Sequence, residues 1–396
     1  MKAKVILATI LVLAASCVKN EVREVSIHGD GQILYNPAPL RSMTTKADLQ
    51  TTKFPTNSTF GSCAWYLPGG NKWDDHHAAA ATDPVAPTPY IPKTKISYNL
   101  VIPNDFNSGV WRNNDKSYYW PMNGSLTFIS WAPADLLDKV DASNNKLNSV
   151  TREEGFKITN WKMENTPGYG IKTQATAGKS SETDPNVDIL LSYTKDCTRN
   201  TANGKVPTKF SHLLCKVKVE ARLAKPLETD ENPWKVTSVI LSDIYTKGDY
   251  STYVKDESNK ITLSKLWRNQ SDRRSYEYKP TNPVSVKYGE GGIGTGAVIF
   301  PETLFMPQFL TERVEGNSTT LPMITIECEN GKGEKQTLKG LLYKNASSLS
   351  VWNQGKSITY VITIGNETAY IDFTANVDGW SEYQDWINNG NVVPVQ

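Results

Sequence analysis

Four stretches of this sequence alternate apolar and polar residues with a period of two, the pattern of a strand with one buried face. Cys215, Val217, Val219, Ala221 and Leu223 alternate with Lys216, Lys218, Glu220 and Arg222. Ile324, Ile326 and Cys328 alternate with Thr325, Glu327 and Glu329. Ile358, Tyr360, Ile362 and Ile364 alternate with Ser357, Thr359, Val361 and Thr363. Ile371, Phe373, Ala375 and Val377 alternate with Tyr370, Asp372, Thr374 and Asn376. A slip of one residue would turn each apolar set outward, so the register is strongly specified. Further strands are expected over 24–28, 31–35, 59–67, 95–102, 125–131, 156–163, 188–193, 235–243, 284–288, 297–300 and 336–343. Clusters of Gly, Pro, Asn, Asp and Ser, which suit turns, separate them. A sustained 3.6-residue period is absent, and the best short helix candidate is Ala134 to Val140. The expected architecture is all-β, built of β-sandwich domains.

A chain of 396 residues is long enough for two ordinary domains. The polar stretch Thr194 to Thr208, which contains Asn203-Gly204, is the expected boundary. Residues 36–58 are also polar and strand-poor, as an exposed loop open to a protease would be. Lys plus Arg number 43 against 41 Asp plus Glu, so the charge offers no footprint for nucleic acid. A mean hydropathy of −0.46 suits soluble domains with strands solvated on one face. The 11 Trp and 18 Tyr suit pleated, half-buried surfaces.

The first residues read as an export signal. Lys2 and Lys4 supply a positive start, and Val5 to Ala14 is an apolar run too short to span a bilayer. Ala14, Ala15 and Ser16 then lead to Cys17. Small residues before a cysteine resemble a bacterial lipobox, with Ala14 where Leu is usual. The alternative is an ordinary signal peptide with an incidental cysteine. No other segment is apolar enough to cross a membrane as a helix. Cys63, Cys197, Cys215 and Cys328 form no CxxC and no metal-type spacing, and Cys215 and Cys328 fall on apolar strand faces as small hydrophobes.

Candidate chemical motifs are sparse. Gly289-Glu290-Gly291-Gly292-Ile293-Gly294 fits GxGxxG, but the strand-like Ala297 to Phe300 and then Pro301 follow where a phosphate site needs a helix. A turn is expected there. Asp74-Asp75-His76-His77 places two carboxylates and two imidazoles together without a third element, so a solvated loop is expected. His28 and His212 have no nucleophile motif nearby. With neither GxSxG nor HExxH present, no catalytic residue, cofactor site or metal site is assigned. Trp111, Tyr118, Tyr119, Trp120 and Trp131 crowd together, and core packing is their expected role. The alternative is an exposed platform that binds glycans on a monomeric surface lipoprotein.

Several patches, in order along the chain, resemble the fimbrillin family of the Bacteroidetes, the pilin subunits typified by the Porphyromonas fimbrial proteins. Tyr119-Trp120-Pro121 followed by Leu126 to Pro133 is similar to the family's "YWP…g.l.F.a.sP" segment. Phe210-Ser211-His212-Leu213 and the strand to Val219 resemble "F.H.l.kv.v". Leu304-Phe305-Met306-Pro307-Gln308 resembles "l.PQ". Trp352 to Tyr360, closed by Val377-Asp378-Gly379-Trp380, completes the set.

This resemblance implies two transthyretin-like β-sandwich domains in tandem. It divides the chain into a signal peptide (1–16), a lipidated propeptide with a removable strand (17–46), an N-terminal sandwich (47–205), a C-terminal sandwich (206–380) and a tail (381–396). The implied function is a structural or adhesive fimbrial subunit, not an enzyme. It is exported to the outer membrane as a lipoprotein acylated at Cys17, then cut by a trypsin-like protease and carried in the surface fimbrium. The removed strand is expected at Glu24–His28 or Gly31–Tyr35. Arg41 is the expected cut site, and Lys46 is its rival, because Thr45-Lys46-Ala47 stands where the family often has "TRA". Val392, Val393 and Val395 are the expected donor strand, although Pro394 lacks a backbone donor. Other fimbrial subunits, the maturation protease and host or bacterial surface ligands are the implied partners. Nucleic acid is not among them, and membrane contact comes only through the lipid.

Overall fold

The computed structural model describes residues 31–37, 54, 56, 58–76, 88–101, 103, 109–163, 188–202, 204–225, 234–255, 261–263, 267–289, 296–315, 318–343, 350–364 and 371–379. Strand is the dominant structure among these residues, with almost no helix. The early strands are β1 Leu34–Pro37, β2 Thr59–Leu67, β3 Ile91–Asn99, β4 Val110–Asn113 and β5 Ser125–Ala132. Next come β6 Ser149–Thr151, β7 Gly155–Lys162, β8 Leu190–Cys197, β9 Lys205–Thr208 and β10 Ser211–His212. The later strands are β11 Cys215–Leu223, β12 Lys235–Ser251, β13 Tyr253–Lys255, β14 Ile261–Leu263, β15 Trp267–Tyr278 and β16 Val284–Ser285. They continue with β17 Ala297–Phe305, β18 Gln308–Phe309, β19 Arg313–Glu315, β20 Ser318–Thr320 and β21 Met323–Glu329. The last are β22 Lys335–Leu341, β23 Val351–Trp352, β24 Lys356–Ile364 and β25 Ile371–Gly379.

The first sheet has eight strands in the order β10-β8-β5-β2-β3-β4-β1-β9. Its two ends, β9 and β10, are neighbours in sequence, and the Thr194 hydroxyl of β8 donates to the Pro207 carbonyl of β9 at 2.8 Å. The sheet therefore rolls up around an aromatic interior that includes Tyr35, Phe60, Trp111, Trp120, Phe128 and Phe210. The second unit is a sandwich. A four-stranded sheet, β17-β11-β24-β25, faces a sheet ordered β22-β21-β12-β7-β6, with β15 and β16 also on β12. Val217, Val219, Ile358 and Tyr360 from one side meet Val236, Leu241, Ile324 and Ile326 from the other. The Trp352 indole donates to Tyr360 Oη at 3.0 Å, and Tyr360 donates to the Leu342 carbonyl at 2.8 Å, which satisfies both buried polar atoms.

A third core joins the two units. Trp65, Ile129, Trp131 and Leu191 of the first sheet pack with Phe156, Ile158 and Trp161 of β7 and with Tyr250, Trp267 and Met306. The central strands β2, β5 and β8 therefore contribute to cores on both faces. Every residue of β5 is buried, including Ser125, Thr127 and Ser130, so its sequence lacks the polar, solvent-facing set of a strand buried on one face.

The four alternating stretches form β11, β21, β24 and β25. The strand expected over 235–243 runs on to Ser251, with Ile244, Thr246, Gly248 and Tyr250 still facing inward past a bulge at Asp243 (φ 63°). The helix expected at 134–140 is a 3-10 turn, Ala134–Asp138, that buries Leu136 and Leu137. Strand pairing does not stop at the expected 205/206 boundary. β1 pairs with β9, and β7 from the first half pairs with β12 from the second. The chain leaves the first sheet at His212 and enters the four-stranded sheet at Cys215. Strand candidate 24–28 lies outside the described residues.

Cys63, Cys197, Cys215 and Cys328 are free and buried. Burial pushes the Cys197 and Cys328 thiols up to about 11, and those of Cys63 and Cys215 higher still, so all four are protonated and unreactive at neutral pH.

Gly61 of β2 lies directly opposite Trp131 of β5, and the indole covers its α-carbon. A methyl group there would collide with the ring of a side chain only 2% exposed. Gly61→Ala should cost about 1–3 kcal/mol. The check is a lowered denaturant midpoint with an unchanged slope.

Candidate functional site

The strand β1 is the most singular element of the first sheet. It lies between β4, to which it is antiparallel with Tyr35 opposite Trp111, and β9, to which it is parallel. Leu34, Tyr35, Asn36 and Pro37 pair in turn with Lys205, Val206, Pro207 and Thr208. Before the strand, Gly31 turns at φ 89°, a conformation that favours glycine. The Trp120 amide donates to the Gly31 carbonyl at 2.8 Å, and the Ile33 amide donates to the Tyr118 carbonyl at 2.8 Å. Gln32 Nε2 adds a bond to Ser117 Oγ at 3.1 Å.

The strand fills the roll as well as closing it. Ile33, Leu34 and Tyr35 are each 4–5% exposed. Burial of such side chains is worth about 1.5–3 kcal/mol apiece. The Tyr35 ring stands edge-on to Phe60 at 5.6 Å and to Phe128 at 5.9 Å. Its hydroxyl is sealed in the core with no partner at hydrogen-bonding geometry. Burial drives the phenol well above its ordinary pKa, and Ser62 only partly offsets this. The ring of Tyr35 enters between Phe60 and Phe128, with the buried Ser62 close to its hydroxyl.

Among the described strands, β9 has β1 as its only ladder partner. Taking β1 away would leave one edge of β4 and the ladder of β9 without a partner strand, over a floor of Phe60, Phe128 and Val206. After β1 the next described residue is Phe54, and it is anchored too. Phe54 stacks on Phe210 at 5.3 Å and stands edge-on to Phe60 at 5.6 Å and Trp111 at 5.3 Å. Arg41 and Lys46 belong to the connection between these two fixed points and lie outside the described residues. Cys17, Val392, Val393 and Val395 also lie outside them, as does most of the GxGxxG segment. Phe54 was legible only as a lone aromatic in a polar stretch, a weak signal.

Other expected features settle differently. Trp111, Trp120 and Trp131 are 8%, 8% and 2% exposed, so the expected core packing holds for these three residues and the alternative, a glycan platform built on them, is overturned. Trp111 and Trp120 line the roll, and Trp131 faces the third core. The expected loop at Asp74–His77 contains a helical turn, Trp73–His76, docked by a fully buried Trp73 against Trp65 at 5.7 Å. Asp74 there pairs with Lys195 at 2.6 Å. Among the described residues, no three His, Cys, Asp or Glu side chains come together as a metal site. His212 does not stand alone. Its Nδ1 lies 2.6 Å from the buried Asp188 Oδ2, pinning β10 to the start of β8.

The comparisons with known proteins follow this geometry. The profile of the family described as fimbrillin-like matches residues 73–380. A crystal structure of a fimbrial protein from Bacteroides vulgatus is similar, with a TM-score of 0.54 and 15% identity, over 88% of this chain and 99% of that one. This likeness concerns the fold. The tip fimbrial protein Mfa3 from Porphyromonas gingivalis, solved with a C-terminal truncation, matches with a TM-score of 0.35 and 9% identity, over 88% of this chain and 99% of that one. No curated protein matches the sequence.

The orphaned hydroxyl of Tyr35 makes a pair of substitutions informative. Tyr35→Phe removes a buried, unpartnered polar atom and should be neutral or stabilising by about 1 kcal/mol. Tyr35→Ala empties the centre of the aromatic cluster and should cost about 3–5 kcal/mol. Equilibrium denaturation of the full chain distinguishes them. Destabilisation by Tyr35→Phe as large as that by Tyr35→Ala would show that the hydroxyl is bonded.

Proposed function

The chain belongs to the fimbrillin-like family, and on that premise we propose that it is a non-catalytic structural subunit of cell-surface fimbriae, assembled by exchange of β1. The observation that carries this reading is the position of β1. It is a four-residue strand inside the sheet, and its C-terminal connection passes through the stretch that contains Arg41 and Lys46. A cut at either residue leaves β1 held by noncovalent contacts alone.

In this proposal the precursor is exported and acylated at Cys17, which holds it at the outer membrane. A protease that prefers Arg or Lys cuts at Arg41 or Lys46, and the fragment carrying Cys17 and β1 departs. The slot then presents unpaired backbone groups of β4 and β9 and an apolar floor. Neither can remain exposed without cost, so a strand from another subunit is favoured to enter. The segment with Val392, Val393 and Val395 is the candidate donor. Its Pro394 is no bar, because β1 itself carries Pro37 in the ladder with β9. Slot and donor are different surfaces of one chain, so the contact is heterologous and propagates into a fibre.

Protein recovered from the cell surface should begin at residue 42 or 47 by N-terminal sequencing. The full chain treated with trypsin under native conditions should convert from monomer to linear multimers, seen by size-exclusion chromatography and electron microscopy. A chain with residues 381–396 deleted should be cut equally well and stay monomeric. Assembly without any cut, or unchanged assembly after that deletion, would overturn the exchange of β1.

A further inference from the structure

Most large apolar side chains of the first sheet are buried, but Tyr90, Tyr119 and Met122 are 41%, 52% and 100% exposed. Tyr90 and Tyr119 are hydrogen-bonded to each other, and Met122 follows Tyr119 by three residues in the same loop. Tyr90 Oη donates to the Tyr119 carbonyl at 2.8 Å, and the Tyr90 ring lies 6.2 Å from that of Tyr66. Gly124, at the end of the same loop, sits against the Tyr66 ring. Exposed apolar side chains gathered this way mark contact surfaces more often than chance scatter.

The patch sits at one end of the β1 slot. Tyr119 bridges to Gln32, and the flanking Tyr118 and Trp120 bond to Ile33 and Gly31, so the patch adjoins the point where β1 begins. Polarity then matters. A replacement strand that keeps both ladders, antiparallel to β4 and parallel to β9, must run in the same direction as β1. Its N-terminal end therefore lies at the Tyr119 mouth. If Val392, Val393 and Val395 enter the slot, residues 380–391 lead back from that mouth toward Gly379, the last residue of β25 in the donating copy. This connection spans at most about 40 Å. It carries Trp380, Tyr383, Trp386 and Ile387, spaced so that a helical turn would place them on one face.

We infer that the Tyr90–Tyr119–Met122 patch is a second contact of the assembly joint and receives Trp386 and Ile387 from the neighbouring copy. The inference rests on the strand-exchange reading above and adds the contact that precedes the donor strand. Its chemistry is aromatic and thioether packing, which needs no charge on either side. It would give the joint an apolar clasp outside the slot, engaged only by a segment of the right polarity.

The test uses the full chain, nicked by trypsin in the connection between Pro37 and Phe54. Synthetic peptides of residues 380–396 and 388–396 are added in excess, and release of the N-terminal fragment is followed by native mass spectrometry. The longer peptide should displace β1 at a concentration at least about 10-fold lower than the shorter one. In the Tyr90→Ser/Met122→Ser protein this advantage should disappear, while the shorter peptide acts as on the parent. A longer peptide with Trp386→Ser and Ile387→Ser should lose the same advantage on the parent protein. Equal potency of the two peptides on the parent, or an advantage that survives the double substitution, would overturn the clasp and leave strand exchange standing. Displacement by neither peptide would sink strand exchange and the clasp with it. Met122 is fully exposed, so a matching unfolding midpoint for a Met122→Ser single variant shows that its effect does not come from the fold.

Discussion

The first sheet depends on one short ladder, the pairing of β1 with β4 on one side and β9 on the other. A rolled sheet must close, because each open edge leaves a row of backbone donors and acceptors unpaired. Here the closing piece is four residues long, and the strand beyond it has no other ladder partner among the described elements. Tyr35 couples this edge to the interior, since its ring meets both Phe60 of β2 and Phe128 of β5. Backbone closure and core packing are therefore lost or regained together. A strand with such a role is stable while present and leaves a well-defined vacancy when removed.

In the sandwich, the strand β15 is built in the opposite way. β15 pairs along β12 but has residues in the left-handed region at Asn269 (φ 51°) and Asp272 (φ 56°), with register shifts beside them. Its exposed side chains include Arg268, Asn269, Asp272, Arg274 and Glu277. Bulges and charge are the means by which natural sheets discourage unwanted strand addition. Assembly by strand exchange, as proposed, would require acceptance to be confined to one place. The regular, apolar β1 slot and the irregular, charged β15 edge form that contrast.

Much of this was legible in the sequence where burial is one-sided. Alternation located β11, β21, β24 and β25 to within a residue or two, and the apolar sets of β11, β21 and β24 lie in the sandwich core. The signal failed where that condition failed. β15 has buried apolar residues only near its ends, at Trp267 and Tyr276, and its middle is held by backbone pairing to β12, which leaves no hydrophobic trace. β5 is buried on both faces, so its strand was visible but its place between two cores was not. The third core, which ties β7 of the first half to β12 of the second, depends on contacts between distant residues, and no local pattern encodes them. The pairing of His212 with Asp188 was invisible for the same reason. At the candidate site, the strand expected over Gly31–Tyr35 overlaps β1 but begins three residues early and ends two early, whereas the anchoring of Phe54 needed three dimensions to appear.

Chain order adds a last step. Cys17 precedes β1, and both Arg41 and Lys46 follow it. A cut upstream of Gly31 would free the protein from a lipid on Cys17 but leave the slot filled and assembly blocked. On the proposed scheme a cut between Pro37 and Phe54 would place a lipid on Cys17 and the closing strand on one departing fragment, so release from the membrane and opening of the slot would become a single event. The anchored ring of Phe54 matters to this scheme. By stacking on Phe210 beside Phe60 and Trp111, it holds the new N-terminal end of the chain against the interior of the roll. Removing one strand then need not unravel the residues behind it. In the proposed scheme a lipid on Cys17 would be a temporary tether in copies that are cut and a permanent anchor in copies that are not, and the connection between Pro37 and Phe54 would decide between the two.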